Sequence, residues 1–324
     1  MKRSFRVYRL NFRSPLHIGV EGTSREDVST IAHSDTILGA IFSLAVKVDP
    51  QLCNELLDSS AKVSSAFPFF RDVSNVDYFM PVPILPPEKM FSIPEGDHSL
   101  TKKLKKLNLI PLEWFEKILN GNRITVEANA LDGVKKKLKD VFKSRPVPKV
   151  ALDRVTQDSN LFHYGELHFD KGGLFFLAEF KDIEVQRRFE AVLKLLGDEG
   201  LGGRRTAGYG LFDVEPDTIE LEIPESADRY LLLSLYWPPK NERNILSLKN
   251  SSYQMVRRAG WFLLDDGRSY RRRPIWMFSE GSVLNIRPIG GVADVTPNAV
   301  PDKHVYRFGY AFSLPIKAVD HADL

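Results

Sequence analysis

The chain has 324 residues, of which 43% are hydrophobic and 27% are charged, and its formal net charge at pH 7 is +3. This length suits two compact domains of about 150 residues each, and so small a net charge does not by itself indicate a nucleic-acid partner. The sequence has no run of about 18 apolar residues that would cross a membrane. Its single cysteine, Cys53, excludes an intrachain disulfide and fits a reducing compartment, so we expect a cytoplasmic protein.

The first part of the chain predicts alternating strands and helices. Branched and aromatic residues predict strands at residues 4–12, 65–70, 78–85, 173–180 and 209–214. Apolar residues at helical spacing predict helices at residues 35–47 and 183–196. Ser34 or Asp35 would cap the first helix, while Asp182 would cap the second and Gly197 would end it. This order of elements is that of the ferredoxin-like split motif, which common RNA-binding sheets also use.

A large insertion, residues 86–170, interrupts this pattern and contains a strongly basic stretch. Residues 102–149 contain 13 lysines and arginines against 5 aspartates and glutamates. A short helix is expected to start at Pro111, and a lysine-rich helix is expected at 131–143. Residues 150–169 read as the two arms of a projecting hairpin. The lysines at 135, 136, 137 and 139 fit either a solvated helix face or a surface that contacts RNA.

An acidic, proline-containing segment, residues 216–227, predicts a domain boundary. We therefore expect two domains, residues 1–224 and 225–324. In the second domain, strands are expected at residues 229–237, 253–264, 275–278, 282–287 and 304–314. The predicted fold class is α+β, with two ferredoxin-like (RRM-like) domains, the second of them degraded, and the basic insertion in the first.

The most informative segment joins the predicted helix at 183–196 to the strand that follows. Residues 197–210 contain six glycines around Arg204 and Arg205. Glycine permits positive φ and lets another backbone approach closely, and arginine offers a planar fork of donors suited to phosphate. A sugar-phosphate chain needs both features, so the segment predicts nucleic-acid binding.

Two better-known phosphate motifs do not fit this segment. No Gly-Lys-Ser/Thr follows the glycines, which excludes a Walker loop. The order helix, loop, strand is the reverse of the order in a dinucleotide fingerprint. A flexible connector with solvated arginines stays open as an alternative.

Residues 200–210 (GLGGRRTAGYG) resemble the glycine-rich loop of the RAMP superfamily of CRISPR-associated proteins. Further blocks narrow the resemblance to the fourth Csm subunit of type III-A effector complexes, a relative of the Cas five-type group. These blocks are residues 12–19 (FRSPLHIG), 33–40 (HSDTILGA), 151–156 (ALDRVT), 257–261 (RRAGW) and 304–309 (HVYRFG). The resemblance covers nearly the whole chain.

The resemblance implies a subunit without catalytic activity of its own. It implies that the chain grips the 5′ repeat-derived handle of the crRNA and contacts both the large polymerase-cyclase subunit and the backbone RAMP subunit. A thumb hairpin, expected within residues 86–170, would intrude on the guide-target RNA duplex. The candidate RNA-binding residues are Gly200, Gly202, Gly203, Arg204, Arg205, Gly208, Tyr209, His17, Arg154, Arg257 and Arg258.

No cofactor is expected, and His163 and His168 lack the companions that a metal site needs. Tyr209 either stacks on a base or packs inward as the first residue of a strand. His17 or His33 is a candidate general base, since imidazole titrates near neutrality. The alternative function is therefore a metal-independent RAMP endoribonuclease that processes pre-crRNA. An RNA-binding module of some other ribonucleoprotein is a third possibility.

Overall fold

The computed structural model describes residues 1–20, 22–24, 26–93, 98–153, 155–156, 158–264 and 267–317. Its helices are α1 (Ser34–Val48), α2 (Pro50–Leu57), α3 (Pro87–Met90), α4 (His98–Lys105), α5 (Leu112–Leu119), α6 (Ala128–Val141), α7 (Ile183–Glu199) and α8 (Lys240–Arg243). Its strands up to the glycine-rich loop are β1 (Lys2–Phe12), β2 (Ala61–Val63), β3 (Phe67–Arg71), β4 (Val76–Pro81), β5 (Phe91–Ser92), β6 (Leu109–Pro111), β7 (Ile124–Thr125), β8 (Phe142–Leu152), β9 (Ser159–Phe169) and β10 (Gly172–Phe180). The later strands are β11 (Phe212–Glu222), β12 (Arg229–Leu232), β13 (Met255–Arg258), β14 (Trp261–Leu263), β15 (Ser269–Arg271), β16 (Ile275–Phe278), β17 (Val283–Leu284), β18 (Gly290–Asp294), β19 (Tyr306–Tyr310) and β20 (Ser313–Ile316).

A seven-stranded antiparallel sheet organises the structure, and its strand order is β11-β1-β10-β3-β4-β6, with β2 also paired to β10. β1 lies between β10 and β11, and it pairs with β11 from Lys2 opposite Glu222 to Phe12 opposite Phe212. α1 follows β1 along the chain, and α7 connects β10 to β11. The predicted mixture of helices with an antiparallel sheet is confirmed.

Both faces of this sheet are buried, and the alternation of side chains along β1 shows how. Phe5 and Val7 belong to one apolar cluster, together with residues of α5 and the C-terminal strands β12 and β20. Tyr8 and Leu10 belong to the other cluster, with residues of α1, α2 and α7. Successive residues of a strand face opposite sides of the sheet, so β1 is apolar over most of its length.

α7 positions the glycine-rich loop. Asp182 caps the helix, because its side chain accepts hydrogen bonds from the backbone N–H groups of Glu184 and Val185. The prediction that Gly197 ends the helix is wrong, since α7 continues to Glu199. A Cβ at Gly197 would overlap with the carbonyl oxygen of Phe212, so this glycine lets the helix lie against β11.

The start of α1 also differs from the prediction. His33, not Ser34 or Asp35, occupies the N-cap position, and its side chain makes no capping hydrogen bond. The Ser34 hydroxyl accepts a hydrogen bond from the backbone N–H of Leu235. Residues that look like caps in the sequence are therefore used to hold the C-terminal part of the chain against the helix.

The insertion contains the helices and the hairpin that its sequence predicts. The lysine-rich helix is α6, and the hairpin consists of β8 and β9, which pair from Phe142 opposite Phe169 to Leu152 opposite Ser159. It starts earlier than expected, because the sequence prediction placed its first arm at residue 150. Large apolar side chains near its end are exposed, among them Leu152 and Leu161. The helix expected at Pro111 is α5.

The predicted linker is partly strand. β11 pairs with β1 as far as Glu222, so residues 216–222 belong to the sheet. The strand expected at 253–264 is divided into β13 and β14, and the strand expected at 304–314 is divided into β19 and β20. Among the described residues after 224, α8 is the only α-helix, and it has four residues. The two long helices of a ferredoxin-like motif are therefore not seen in this described part.

Candidate nucleic-acid interface

Three segments meet at the glycine-rich loop. Leu16 and Leu167 of β9 exchange two backbone hydrogen bonds, each with an N···O distance of 2.9 Å. The backbone N–H of Gly203 donates to the carbonyl oxygen of His17 at 2.8 Å, and that of Gly210 donates to Pro15 at 2.8 Å. The loop after β1 therefore lies between the base of the hairpin and the glycine-rich loop.

Most of the glycines in the loop approach other protein backbone. Gly200, Gly202 and Gly210 all have positive φ, at 87°, 87° and 75°. A Cβ at Gly202 would overlap with the carbonyl oxygen of His17, and similar overlaps with carbonyl oxygens would occur at the other two positions. Gly208 differs, because its φ is 79° but a Cβ there would meet nothing within 4 Å. Open space for a ligand backbone is therefore found at Gly208.

Arg204 has a strained backbone and a supported side chain. Its φ of 59° and ψ of 29° lie in the left-handed region, which is uncommon for a residue with a Cβ. Its guanidinium carbon lies 4.7 Å from the ring centre of Tyr164 and 5.5 Å from that of Tyr209. Among the described residues, no acceptor forms a hydrogen bond with this guanidinium. Its cation–π contacts hold the group while leaving its donors available.

Arg205 is exposed and begins the short 3₁₀ turn Arg205–Ala207. Tyr209, by contrast, is buried, and its hydroxyl donates a hydrogen bond to the carboxylate of Glu166. Of the two orientations considered for Tyr209, the structure has the inward one. Its ring therefore supports Arg204 from within the protein.

Glu166 is a buried carboxylate at the base of the hairpin. One of its oxygens lies 3.0 Å from Nε2 of His168, and the other lies 3.6 Å from Nζ of Lys149. Burial alone would raise the pKa of Glu166, but the hydrogen bonds from Tyr209 and His168 and the charge of Lys149 outweigh it and lower that pKa. The carboxylate therefore stays ionised and ties β9 to the glycine-rich loop.

His17 is buried beside the loop. Its Nδ1 donates a hydrogen bond to the carbonyl oxygen of Gly165 at 2.8 Å, and its ring centre lies 4.0 Å from that of Tyr164. Burial lowers the pKa of His17, and the Arg204 cation lowers it further, against the opposing effect of the Gly165 carbonyl. The imidazole is therefore neutral at pH 7, with its proton on Nδ1 and an unprotonated Nε2.

The C-terminal Arg258 is engaged in a buried ion cluster. Arg258 binds Asp35 through two hydrogen bonds of 2.9 Å, and Arg307 also binds this fully buried carboxylate. Burial raises the pKa of Asp35, but the two arginines outweigh it and hold that pKa below its usual value. Arg258 thus binds a carboxylate inside the protein, whereas the sequence predicted it as an RNA-binding residue.

His33, the second candidate base, is also engaged. Its Nδ1 lies 2.8 Å from the carboxylate of Glu280, which is buried and also accepts a hydrogen bond from Ser65. Arg154 lies outside the described residues. In the described part of the chain, no three His, Cys, Asp or Glu side chains are grouped to hold a metal ion.

The structure adds residues that the sequence prediction missed, namely Tyr164, Glu166 and Lys149. All three belong to the hairpin, which was predicted as a projection and not as a wall of the site. Tyr164 and Glu166 are two positions apart on β9, so their side chains share one face of the strand. From the sequence, this spacing could have predicted that Tyr164 and Glu166 share a face of the strand. It does not indicate which segment packs against that face.

The fold and this loop define a class of protein. Residues 9–213 match the model of the RAMP superfamily, and residues 225–316 match that of the CRISPR Csm4 C-terminal domain. Because the first match spans more than half of the chain, the chain belongs to the RAMP superfamily. Within the superfamily it is similar to the Csm4 proteins, which confirms the resemblance drawn from the glycine-rich loop and its accompanying blocks.

Two named relatives show how far the similarity extends. The "CRISPR system Cms protein Csm4" of Thermococcus onnurineus is 28% identical, over 94% of this chain and 98% of the relative. The protein of the same name from Mycobacterium tuberculosis is 26% identical, over 90% of this chain and 91% of the relative.

Solved structures share the fold. A chain from a Csm1-Csm4 cassette in complex with cA4 matches with a TM-score of 0.63 and 23% identity, covering 98% of this chain and 100% of that one. A chain from a Csm3-Csm4 subcomplex of the type III-A interference complex matches with a TM-score of 0.61 and 19% identity, covering 97% and 100%. In the described residues, no helix is long and apolar enough to cross a membrane.

Proposed function

We propose that this chain is an RNA-binding subunit of a type III-A CRISPR (Csm) interference complex, acting in antiviral defence in the cytoplasm. In this role it grips the 5′ handle of the crRNA and links the large polymerase-cyclase subunit to the backbone RAMP subunits. Membership of the RAMP superfamily and similarity to Csm4 proteins over nearly the whole chain support this role. Related folds occur in structures of Csm1-Csm4 and Csm3-Csm4 assemblies, which supports the two protein partners.

The observation that carries the RNA-binding part is the arrangement of Arg204. Its guanidinium rests on Tyr164 and Tyr209, and no described residue accepts its hydrogen bonds. The neighbouring Arg205 is exposed, and the space beside Gly208 is open. A phosphate could bind the Arg204 fork in two parallel hydrogen bonds while the sugar lies against Gly208. Binding should therefore be electrostatic and depend on salt.

We propose further that the first domain is ferredoxin-like and that its hairpin β8–β9 is a thumb beside the guide-target duplex. The order of the first four strands from one edge of the sheet, β11-β1-β10-β3, with α1 and α7 as connections, supports the first point. The two 11-residue strands of the hairpin and the exposed apolar side chains near its end support the second. Lys135, Lys136 and Lys139 on α6 add positive charge next to the hairpin.

Substitution of Arg204 by Ala tests the RNA-binding proposal directly. We expect the variant to bind handle-bearing single-stranded RNA at least about tenfold more weakly, because hydrogen bonds to charged groups contribute about 1.5–3 kcal/mol. The slope of log K against log salt should also fall by about 0.7 for each phosphate that the variant no longer neutralises. Fluorescence anisotropy of labelled RNA across a salt series measures both quantities.

Arg187→Ala is the matched control. Arg187 is exposed on α7, has no hydrogen-bond or ion-pair partner among the described residues, and lies 13 positions before Gly200, or about 20 Å along the helix axis. Removing it subtracts the same charge at a distance from the loop. If Arg204→Ala and Arg187→Ala weaken binding equally, only net charge matters and the proposed site is wrong. Co-purification of the chain with handle-bearing RNA and a large protein partner tests its place in the complex.

One observation favours the alternative of an endoribonuclease. His17 is neutral with an unprotonated Nε2, which is the state that a general base requires. Its burial and its contact with Tyr164 argue instead for a packing role, so we propose that the chain is not catalytic. Incubation of the purified chain with repeat RNA discriminates between the two. Clean cleavage that disappears in His17→Ala would establish the nuclease.

A further inference from the structure

A groove with a volume of about 380 Å³ lies between the loop that follows β1 and the C-terminal strands. One side is formed by the segment that follows His17, including Gly19 and Val20, and the other by the paired strands β13 and β16, including Met255, Arg257 and Trp276. Its volume is at the lower end of the range of about 300–1,000 Å³ typical of small-molecule sites. A site of this size suits a single planar group better than a folded peptide segment.

The walls of the groove combine exposed apolar surface with positive charge. Trp276 is 57% exposed, Val20 is 43% exposed and Met255 is 40% exposed. Arg257 is directly opposite Trp276 in the register of β13 and β16, so the two side chains share one face. An aromatic face beside a guanidinium is the combination that binds a base together with its phosphate.

The base of the groove is rigid. Arg258 and His33 line it, and each is tied to a buried carboxylate, Asp35 and Glu280 respectively. The Asp35–Arg258 ion pair and the His33–Glu280 contact join the start of α1 to the C-terminal part of the chain at the base of the groove. The groove is therefore formed before any ligand arrives, which lowers the entropic cost of binding.

The groove and the glycine-rich loop are consecutive along one segment. Gly203 donates its backbone hydrogen bond to His17, and Gly19, two residues further on, already lines the groove. Two residues span at most about 7 Å of main chain. The same short segment therefore borders both the glycine-rich loop and the groove, so an RNA strand that follows this segment would meet both.

We propose that this groove holds one unstacked nucleobase of the RNA strand whose phosphate binds Arg204. Trp276 stacks on the base, and Arg257 contacts the adjoining phosphate. This inference rests on the proposed RNA-binding function and adds a base subsite to it. The groove then explains how a single-stranded segment is held in a fixed register, since backbone contacts alone allow a strand to slide.

The test uses the full chain and single-stranded RNA of the handle sequence, with 2-aminopurine placed at each position in turn. We expect the fluorescence of one position to be quenched on binding to the wild-type chain, because that base stacks on Trp276. Trp276→Ala should remove the quenching and weaken binding about 5- to 150-fold, which corresponds to about 1–3 kcal/mol per stacked base. Trp276→Phe should restore most of both effects.

Trp261→Ala is the matched control, since Trp261 is 66% exposed but does not line the groove. An RNA without a base at the responsive position should bind wild type as weakly as intact RNA binds Trp276→Ala, and combining the two changes should add little more. That result, with unchanged binding in Trp261→Ala, supports the subsite.

Two results overturn the subsite. In the first, Trp276→Ala binds RNA like wild type and no position responds, while Arg204→Ala still loses affinity; the RNA-binding function then stands without this groove. In the second, Trp276→Ala leaves RNA binding intact but loses a co-purifying protein subunit, so the groove is a protein-docking site. If Arg204→Ala itself binds like wild type, the proposed function fails before the subsite is reached.

Discussion

Substitution of Gly202 and of Gly208 by alanine distinguishes two reasons for glycine in the loop: a positive φ and the close approach of another backbone. Both residues have positive φ, at 87° and 79°. Alanine at either position therefore meets the same backbone strain, about 1–2 kcal/mol. Only at Gly202 does the new Cβ also come closer than 3.0 Å to another protein atom, the carbonyl oxygen of His17.

The extra cost at Gly202 follows from what must move. The His17 carbonyl accepts the hydrogen bond from the backbone N–H of Gly203 at 2.8 Å, so relieving the overlap weakens that bond. The loss of one such bond costs about 0.5–1.5 kcal/mol, and a backbone shift adds to it. We expect Gly202→Ala to lower the free energy of unfolding by about 2–4 kcal/mol and Gly208→Ala by about 1–2 kcal/mol.

Urea unfolding, followed by tryptophan fluorescence, measures the two values. The chain has four tryptophans, and the dependence of the free energy on urea should be the same in both variants, because the area exposed on unfolding does not change. RNA affinity gives a second readout: Gly208→Ala should bind more weakly than its small loss of stability explains, since its methyl group enters the space proposed for the sugar. Equal destabilisation by the two substitutions would refute the idea that the loop is built on the His17 carbonyl.

Three further predictions concern the surroundings of the loop. Tyr209→Phe should lower the free energy of unfolding by about 1.5–3 kcal/mol, because buried Glu166 loses a hydrogen bond. RNA affinity, measured by anisotropy, should stay at the wild-type value. A loss of affinity would contradict the assignment of Tyr209 as a buried, supporting residue. Asp35→Asn should cost about 3–5 kcal/mol at pH 7, because Arg258 is left without its buried partner. Folding lowers the pKa of Asp35, so the stabilisation is complete above about pH 3.9 and is lost as the pH falls further. The difference in free energy of unfolding between wild type and Asp35→Asn should therefore shrink in acid. A difference that does not change with pH would contradict the assignment. Three lysines of α6 have no ion-pair partner among the described residues: Lys135, Lys136 and Lys139. Replacing them by glutamate should weaken binding of a crRNA-target duplex at low salt and not at high salt. An effect that persists at high salt would exclude simple screening.

Local patterns in the sequence predicted the elements that carry the loop. The apolar stripe of α7 and the capping role of Asp182 are both confirmed, because each depends on residues a few positions apart. The end of α7 was predicted too early. The sequence marks Gly197 and Gly200 equally, and only the path of β11 past Gly197 shows which of the two ends the helix.

Contacts between distant segments could not be predicted in this way. Asp35, Arg258 and Arg307 lie in three of the blocks that carried the family resemblance, and the structure brings them together in one buried ion cluster. From the sequence alone, Asp35 was predicted as a helix cap, Arg258 as an RNA-binding residue and Arg307 as part of a strand. Their pairing depends on how the C-terminal strands pack on α1, and no periodicity in one segment encodes the partner in another.

The glycines show the same limit in a sharper form. The sequence shows that a backbone approaches closely, but it does not show which backbone. At Gly200, Gly202 and Gly210 the structure places protein carbonyl groups where an RNA backbone was expected. We therefore expect RNA to contact mainly the side chains that these glycines position, above all Arg204. The RNA-binding roles of the candidate residues, Gly203 and Arg205 among them, remain predictions.

The contacts around Glu166 connect the loop mechanically to the hairpin. Tyr209 of the loop and Glu166 of β9 share a buried hydrogen bond, and Leu16 joins the intervening segment to Leu167 through two more. Moving the hairpin against the loop would break the Tyr209–Glu166 hydrogen bond, which costs about 1.5–3 kcal/mol, and would also strain the two backbone hydrogen bonds of Leu16. At RT of about 0.6 kcal/mol such a state is rare, so the hairpin and the loop move as one body. RNA bound at Arg204 would therefore fix the direction in which the hairpin projects, and with it the side of the complex that the exposed end of the hairpin can reach.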